Sequence, residues 1–390
     1  MDGHKLLRFL KILGSLTSTW PPDSSSSRFH LIVRNVCWFL SLVNVVGLLI
    51  PLVLAAYVFR RDVTAMMKAL SELTALTEVF LNLIICKVQW PRFEALFKKV
   101  NSYFTNAKPS EEAIIQKYVD RYSSFSIFVA LSYVMSAITF SSGPLVLKIY
   151  LPAETWYPFS IEDRRTRTIL YTQQVLAILQ TGFCIVVDFF IALLLWFPAA
   201  RLELLGKELQ NAQNRQDIQH CVKIHQEVIE FVQDTQTSVH NLLLKTNVTM
   251  AAAVVFGTFP LIYHSPLPVV SQFLCFVIGG CLRLYITAWP ADDLKEMVNN
   301  IVLYIYNYFF LDINSNLQSE KISWHAYCIP WMDKRQDIKR SVSVIIQRSQ
   351  KPLAITMSAI LPVLSLRYYS TFLYTTMSYF MTMRAIIDIH

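Results

Sequence analysis

The sequence predicts an all-α, polytopic membrane protein of seven transmembrane helices, and three observations predict it. Of 390 residues, 54% are hydrophobic and only 16% charged, with a mean hydropathy of +0.40, too apolar for a soluble chain of this size. Apolar runs long enough to cross a hydrocarbon core about 30 Å thick recur along it, each needing roughly 20 residues. The Lys and Arg residues sit in the connections between these runs rather than in a separate basic domain, so the net charge of +8 reflects topology rather than nucleic-acid binding.

The N-terminal stretch, 1–34, is apolar but interrupted by Lys5, Arg8 and Lys11, and is followed by Pro21-Pro22-Asp23 and a serine run with no cleavage-site pattern. No signal peptide is expected, and the first span inserts itself. Runs at 35–59, 63–86, 122–147 and 168–197 supply the first four spans, and 363–386 the last. Between 242 and 315 three runs, 248–263, 269–286 and 297–311, are separated by Pro260, Pro266 and Pro268 and by Trp289-Pro290-Ala291-Asp292-Asp293. The reading is one long, interrupted fifth element and a sixth that begins near Leu294.

Positive residues are retained on the cytoplasmic side of a membrane. With the N-terminus inside, the segments 1–34, 87–121, 198–245 and 315–354 collect 24 of the 35 Lys and Arg residues. Nine, among them Lys148, Arg283, Lys295 and Arg384, fall on the other side, which favours a cytoplasmic N-terminus and an extracellular C-terminus. The segments 198–245 and 315–354 are long and helical in pattern, with Ile218, Val222, Ile224, Val228, Ile229 and Val232 at three- and four-residue steps, and are expected to form a cytosolic helical anchor within a single domain spanning 1–390.

Chemistry-bearing motifs are sparse. The seven cysteines carry no CxxC pair, and an odd number cannot pair completely, so they are read as free, packed thiols. His220 and His225 are five apart, lack a completing zinc ligand, and are expected at the surface of a cytosolic helix. No Ser-His-Asp order or phosphate loop supports an enzyme, and no metal or cofactor is implied. No internal repeat supports a transporter. Asp120-Arg121-Tyr122 matches the triplet of G-protein-coupled receptors but precedes a span instead of ending one, and the last span lacks Asn-Pro-x-x-Tyr. Asn247-Val248-Thr249 is a formal glycosylation acceptor at the cytosolic start of the fifth element, so it is expected to be unmodified. Ionisable residues inside spans are costly and therefore noteworthy. Lys68 and Glu72 are spaced to neutralise one another, and Glu78 and Asp188 suit the bundle interior in either a functional or a hydrogen-bonding role.

In the last span, Thr371, Thr375, Ser378, Thr382 and Ile386 follow steps of 4, 3, 4 and 4 and share one helix face. Such a stripe suits a wall in contact with water, narrowed near its outer end by Ile386, or a seam of interhelical hydrogen bonds.

Arg348-Ser349-Gln350-Lys351-Pro352-Leu353, followed by Met377-Ser378-Tyr379-Phe380, resembles the C-terminal signature of insect odorant receptors, with Tyr327 and Trp331 similar to the aromatic pair upstream of it. Leu151-Pro152-Ala153-Glu154-Thr155-Trp156-Tyr157-Pro158, and Asp188 followed by Leu202 and Leu205, also fit, so the resemblance covers almost the whole chain. It implies the odour-tuned subunit of a ligand-gated, non-selective cation channel, working in a heterotetramer with an obligate co-receptor in the plasma membrane of a sensory neuron dendrite. The last helix would line the pore, with Thr375, Ser378, Thr382 and Ile386 along it, and Thr382 departs from the usual aliphatic gate residue. A small volatile odorant would bind in the outer half of the bundle, at Leu73, Leu76, Phe80, Tyr133, Ser136, Phe140, Gln174, Ile178, Thr181, Tyr304 and Tyr306. Apolar and aromatic walls would recognise it by burial, with a few polar groups setting orientation. The related gustatory receptors pair Thr-Tyr with a later Gln-Phe, which Ser378-Tyr379-Phe380 lacks.

Overall fold

The computed structural model describes residues 3–22, 26–146, 149–211, 215–262, 267–310, 355–357 and 362–389, with side chains excepted at 301–310, at 386–389 and at single positions within the other segments. The second anchor segment, 315–354, with Tyr327, Trp331 and the 348–353 motif, lies outside the described residues. Among the described residues ten helices run in order: α1 (Gly3–Leu16), α2 (Arg28–Val58), α3 (Val63–Asn106), α4 (Pro109–Ser141), α5 (Gly143–Val146), α6 (Arg164–Gly182), α7 (Ile185–Asn211), α8 (Arg215–Ile262), α9 (Leu267–Phe310) and α10 (Leu366–Ile389). Among the described residues the only strand-like feature is one bridge, Thr356 to Val363. The fold is all-α. Among the described residues five elements, α2, α3, α4, α6 with α7, and α8, are long and apolar enough to cross a membrane.

α1 is amphipathic, burying Gly3, Leu7, Leu10 and Gly14 at steps of 4, 3 and 4 while Phe9, Ile12 and Leu16 stay exposed. Trp20, just beyond it, stacks on Phe97 with centroids 4.2 Å apart and meets Phe190 edge-on at 5.1 Å. The helix of the second run does not stop at 86: α3 continues to Asn106 because Phe93, Phe97, Val100 and Phe104 extend its buried stripe. Nor does the third begin at 122. α4 starts at Pro109, where Pro at the first helical position and a capping bond from Lys108 N–H to Glu111 favour initiation. Its added turns bury Ile114, Ile115, Tyr118 and Val119. Asp120-Arg121-Tyr122 therefore sits inside a helix, not at its entrance. Arg121 pairs with Asp293 at 2.9 Å, and the Tyr122 hydroxyl donates to the same carboxylate, fastening α4 to α9.

The fourth span is broken at Phe183, where 3₁₀-type bonds such as Cys184 N–H to Thr181 O separate α6 from α7. α7 is the central rod: 185–200 is almost entirely apolar and buried, the pattern of a helix surrounded on every side. The first anchor segment, 198–245, is an extension of α7 and the first half of α8, packed on one another. His220 is exposed there, but His225 is buried rather than at the surface. The boundary expected near Leu294 is corrected: α8 ends at Ile262, and α9 is one helix from Leu267 to Phe310 that contains Pro290. A helix packed against neighbours can absorb an internal proline, so the 289–293 break signal was overridden. Among the described cysteines all are free, with Cys86, Cys184 and Cys221 buried, Cys281 partly so, and Cys37 exposed rather than packed.

Candidate functional site

Inside lipid there is no hydrophobic drive between helices, so their separation is set by which side chains fit between them. Where α2, α3, α4, α6 and α9 converge, small residues leave a gap of about 90 Å³. α2 supplies Leu48 and Leu52, α3 Ser71, Glu72, Ala75 and Leu76, and α4 Ser132, Tyr133, Ser136, Ala137 and Phe140. α6 adds Ala177, Ile178, Thr181 and Gly182, and α9 adds Phe273 and Gly279. Gly182 brings α6 onto α4 here: a Cβ on it would lie 2.9 Å from that of Ala137. Phe140 meets Phe273 edge-on at 5.7 Å and closes one wall.

One end is roofed by the 149–163 connection. Its Ala153 N–H donates to Gln174 Oε1 at 3.0 Å, and the Gln174 amide donates to Thr155 Oγ1 and the Tyr157 hydroxyl at 3.0 and 3.2 Å. Glu154 N–H donates to Glu72 Oε2 at 2.8 Å. Burial of Glu154 in this connection raises its carboxyl pKa above the usual range, opposed by Lys68.

The other end rests on charge. Glu78 of α3, Asp188 of α7, Lys245 of α8 and Arg283 of α9 meet with none more than 8% exposed. Arg283 Nη1 lies 2.6 Å from Glu78 Oε2, Lys245 Nζ lies 2.8 Å from Glu78 Oε1, and Arg283 Nε donates to Asp188 Oδ2. Two acids and two bases make the cluster neutral, the condition under which buried ions are tolerated. Glu78 follows the cavity residue Leu76 by two positions, Asp188 follows Gly182 by six, and Arg283 follows Gly279 by four. The cluster therefore borders the cavity, no more than about two helical turns from its lining. From it, α8 leads on to Asn247, whose Oδ1 accepts from the Tyr368 hydroxyl of α10 at 2.9 Å. The same Asn247 is 4% exposed, which shields its glycosylation motif. The remaining α10 surface is largely exposed, and Thr371, Thr375, Ser378 and Thr382 all lie on it.

Of the residues nominated from sequence, Leu76, Tyr133, Ser136, Phe140, Ile178 and Thr181 are brought together around the cavity. Leu73 and Phe80 instead pack against the neighbouring core of Val45, Leu48 and Val79. Gln174 is fully buried, with its amide committed to the roof. Tyr304 and Tyr306 lie on α9 some 25 residues beyond Gly279, roughly 38 Å along the helix. Phe273 and Gly279 take their place because α9 starts earlier than the sequence suggested. Ser71 and Glu72 went unnoticed as cavity residues, and Glu72 bonds to the roof, with no ion pair to Lys68 among the described contacts. Lys245 and Arg283 were assigned to connections. Searching for bases able to match Glu78 and Asp188 inside the apolar runs would have found them. Among the described residues no group of His, Cys, Asp and Glu is placed to hold a metal.

A family profile described as 7tm Odorant receptor matches residues 62–318 and 301–377. Odorant receptor 10 of Aedes albopictus is 23% identical over 236 residues, 56% of each chain, so the chain spans a little over half the length of that curated relative. The olfactory receptor OR5 of Machilis hrabei has the same fold: TM-score 0.79 at 14% identity, covering 97% of both chains, and 0.78 over 98% for its complex with eugenol.

Proposed function

The chain belongs to the 7tm odorant receptor family, and from that premise we propose that it binds a small volatile odorant in the cavity between α2, α3, α4, α6 and α9 and gates a cation path lined by α10. Membership makes it a multi-pass membrane receptor of olfaction and not an enzyme. The observation that carries the ligand reading is the cavity itself: partly open, dominated by apolar and aromatic walls, and too small for anything but a compact molecule. That a relative of the same fold holds eugenol supports it.

The pore reading rests on α10. Its hydroxyls do not need partners on other helices, since Thr371, Thr375 and Thr382 donate to the carbonyls of Arg367, Thr371 and Ser378 on their own helix, which weakens the interhelical-seam alternative. A largely exposed helix with a hydroxylated face suits an axis shared by subunits, in a heterotetramer with a co-receptor, with the 198–245 and 315–354 segments as the cytosolic anchor and the N-terminus inside. The odorant must bind the open arrangement more tightly than the closed one, because equal affinity shifts nothing. The site is the plasma membrane of a sensory dendrite.

Whole-cell current in cells expressing this chain with an insect co-receptor, under a panel of small volatiles, tests the reading. A fast cation current in the pair, absent from the co-receptor alone, is expected. Surface expression with silence to every volatile, or substrate flux without current, would overturn it.

A further inference from the structure

We infer that this receptor selects odorants carrying a hydroxyl group, and that Ser71 is the residue that reads it. The inference rests on the cavity proposed above. It comes from sorting the polar groups around that cavity by whether the protein already uses them. Thr181 and Ser132 donate to the carbonyls of Ala177 and Phe128 on their own helices. Gln174 is committed to the roof, and Glu72 Oε2 accepts from Glu154 N–H. Ser71 differs. It lines the cavity and is 1% exposed, and its Oγ has no hydrogen-bond partner among the described residues.

A buried hydroxyl without a partner costs free energy that a ligand group can recover. The neighbours Thr74 and Thr77 show the alternative, since both donate back to their own helix at 2.7 Å. Ser71 does not, which leaves it free to both donate and accept. A ligand hydroxyl can use both capacities at once, donating to Ser71 Oγ and accepting from it, so an alcohol or phenol gains over the ketone, ether or hydrocarbon of the same skeleton. The remaining wall of Leu48, Leu52, Leu76, Phe140, Ile178 and Phe273 is apolar and takes the carbon body.

The test uses the full chain expressed with an insect co-receptor, measuring half-maximal concentrations for short-chain alcohols and simple phenols against their methyl ethers and parent hydrocarbons. Native receptor should prefer the hydroxyl compounds. Ser71→Ala should raise their half-maximal concentration about three- to tenfold while moving the ethers and hydrocarbons less than about twofold. Ser71→Cys, near-isosteric with a weak hydrogen-bonding group, should fall between and covers a failure of the alanine variant to reach the surface. Ala75→Phe, which fills the gap, should silence every ligand at normal surface level. If it does so while Ser71→Ala shifts all ligands alike, or none, the role of Ser71 is overturned and the cavity stands. If the receptor responds to volatiles but to no hydroxyl compound, the ligand class is overturned. Full responses in Ala75→Phe would remove the cavity, and this inference with it.

Discussion

Replacing Arg283 by Met keeps the apolar stem of the side chain and removes the charge that joins α3, α7 and α9. Asp188 then loses its ion-pair partner, and its other oxygen, Oδ1, already has none among the described residues. Glu78 keeps Lys245 at 2.8 Å but loses the 2.6 Å contact to the guanidinium. Removing one partner of a buried pair leaves an uncompensated charge and costs about 3–5 kcal/mol. At about 2–4 °C per kcal/mol for a domain of this order of size, the melting temperature in detergent should fall by roughly 6–20 °C. Size-exclusion profiles after stepwise heating, together with surface biotinylation, measure both the melting point and the amount that reaches the membrane. The companion double variant, Arg283→Met with Asp188→Asn, restores neutrality and leaves the Glu78–Lys245 pair intact. It should recover at least half of the loss, because neighbouring sites of one network are not additive. An Arg283→Met protein melting within about 2 °C of native would refute the reasoning, and so would a double variant no better than the single.

The remaining predictions concern the pore, the orientation and a buried thiol. Enlarging or charging the proposed gate, as Thr382→Phe or Ile386→Glu, should change single-channel conductance while leaving odorant half-maximal concentrations within about threefold; unchanged conductance would remove α10 from the pore. An epitope at the N-terminus should be unreachable by antibody on intact cells, and one at the C-terminus reachable; the reverse would invert the topology. Cys221 lies on α8 before its apolar stretch, and burial, reinforced by Glu208 and Asp217, pushes its thiol pKa up to about 11. The reactive thiolate is then roughly one part in ten thousand at neutral pH. Maleimide should label Cys221 slowly in the folded protein and quickly once it is denatured, and equal rates would contradict its burial.

Segment length and hydrophobic spacing made much of the helical framework legible. The first spans were placed where α2, α3, α4 and the α6–α7 pair run, because about 20 apolar residues in succession have few other fates. Their polar ends were not. The buried stripe from Phe93 to Phe104 was hidden among Lys98, Lys99 and Arg92, which signalled a connection although the helix simply continues. In the cavity, Tyr133, Ser136 and Phe140 were nominated and do share a wall, whereas Phe273 and Gly279 were missed through a misplaced helix start.

Charges inside apolar runs announced by themselves that Glu78 and Asp188 needed partners, since a bare carboxylate in that setting is too costly to keep. The sequence also determined the hydroxylated face of α10, a property of helical period alone. Which partners those carboxylates found could be decided only by tertiary structure. Glu78, Asp188, Lys245 and Arg283 lie up to 205 positions apart, and their meeting depends on how four helices are rotated and crossed against one another. Periodicity fixes which residues share a face, but the direction that face points is set by packing against neighbours, and a free Ser71 hydroxyl exists only in the gap that packing leaves.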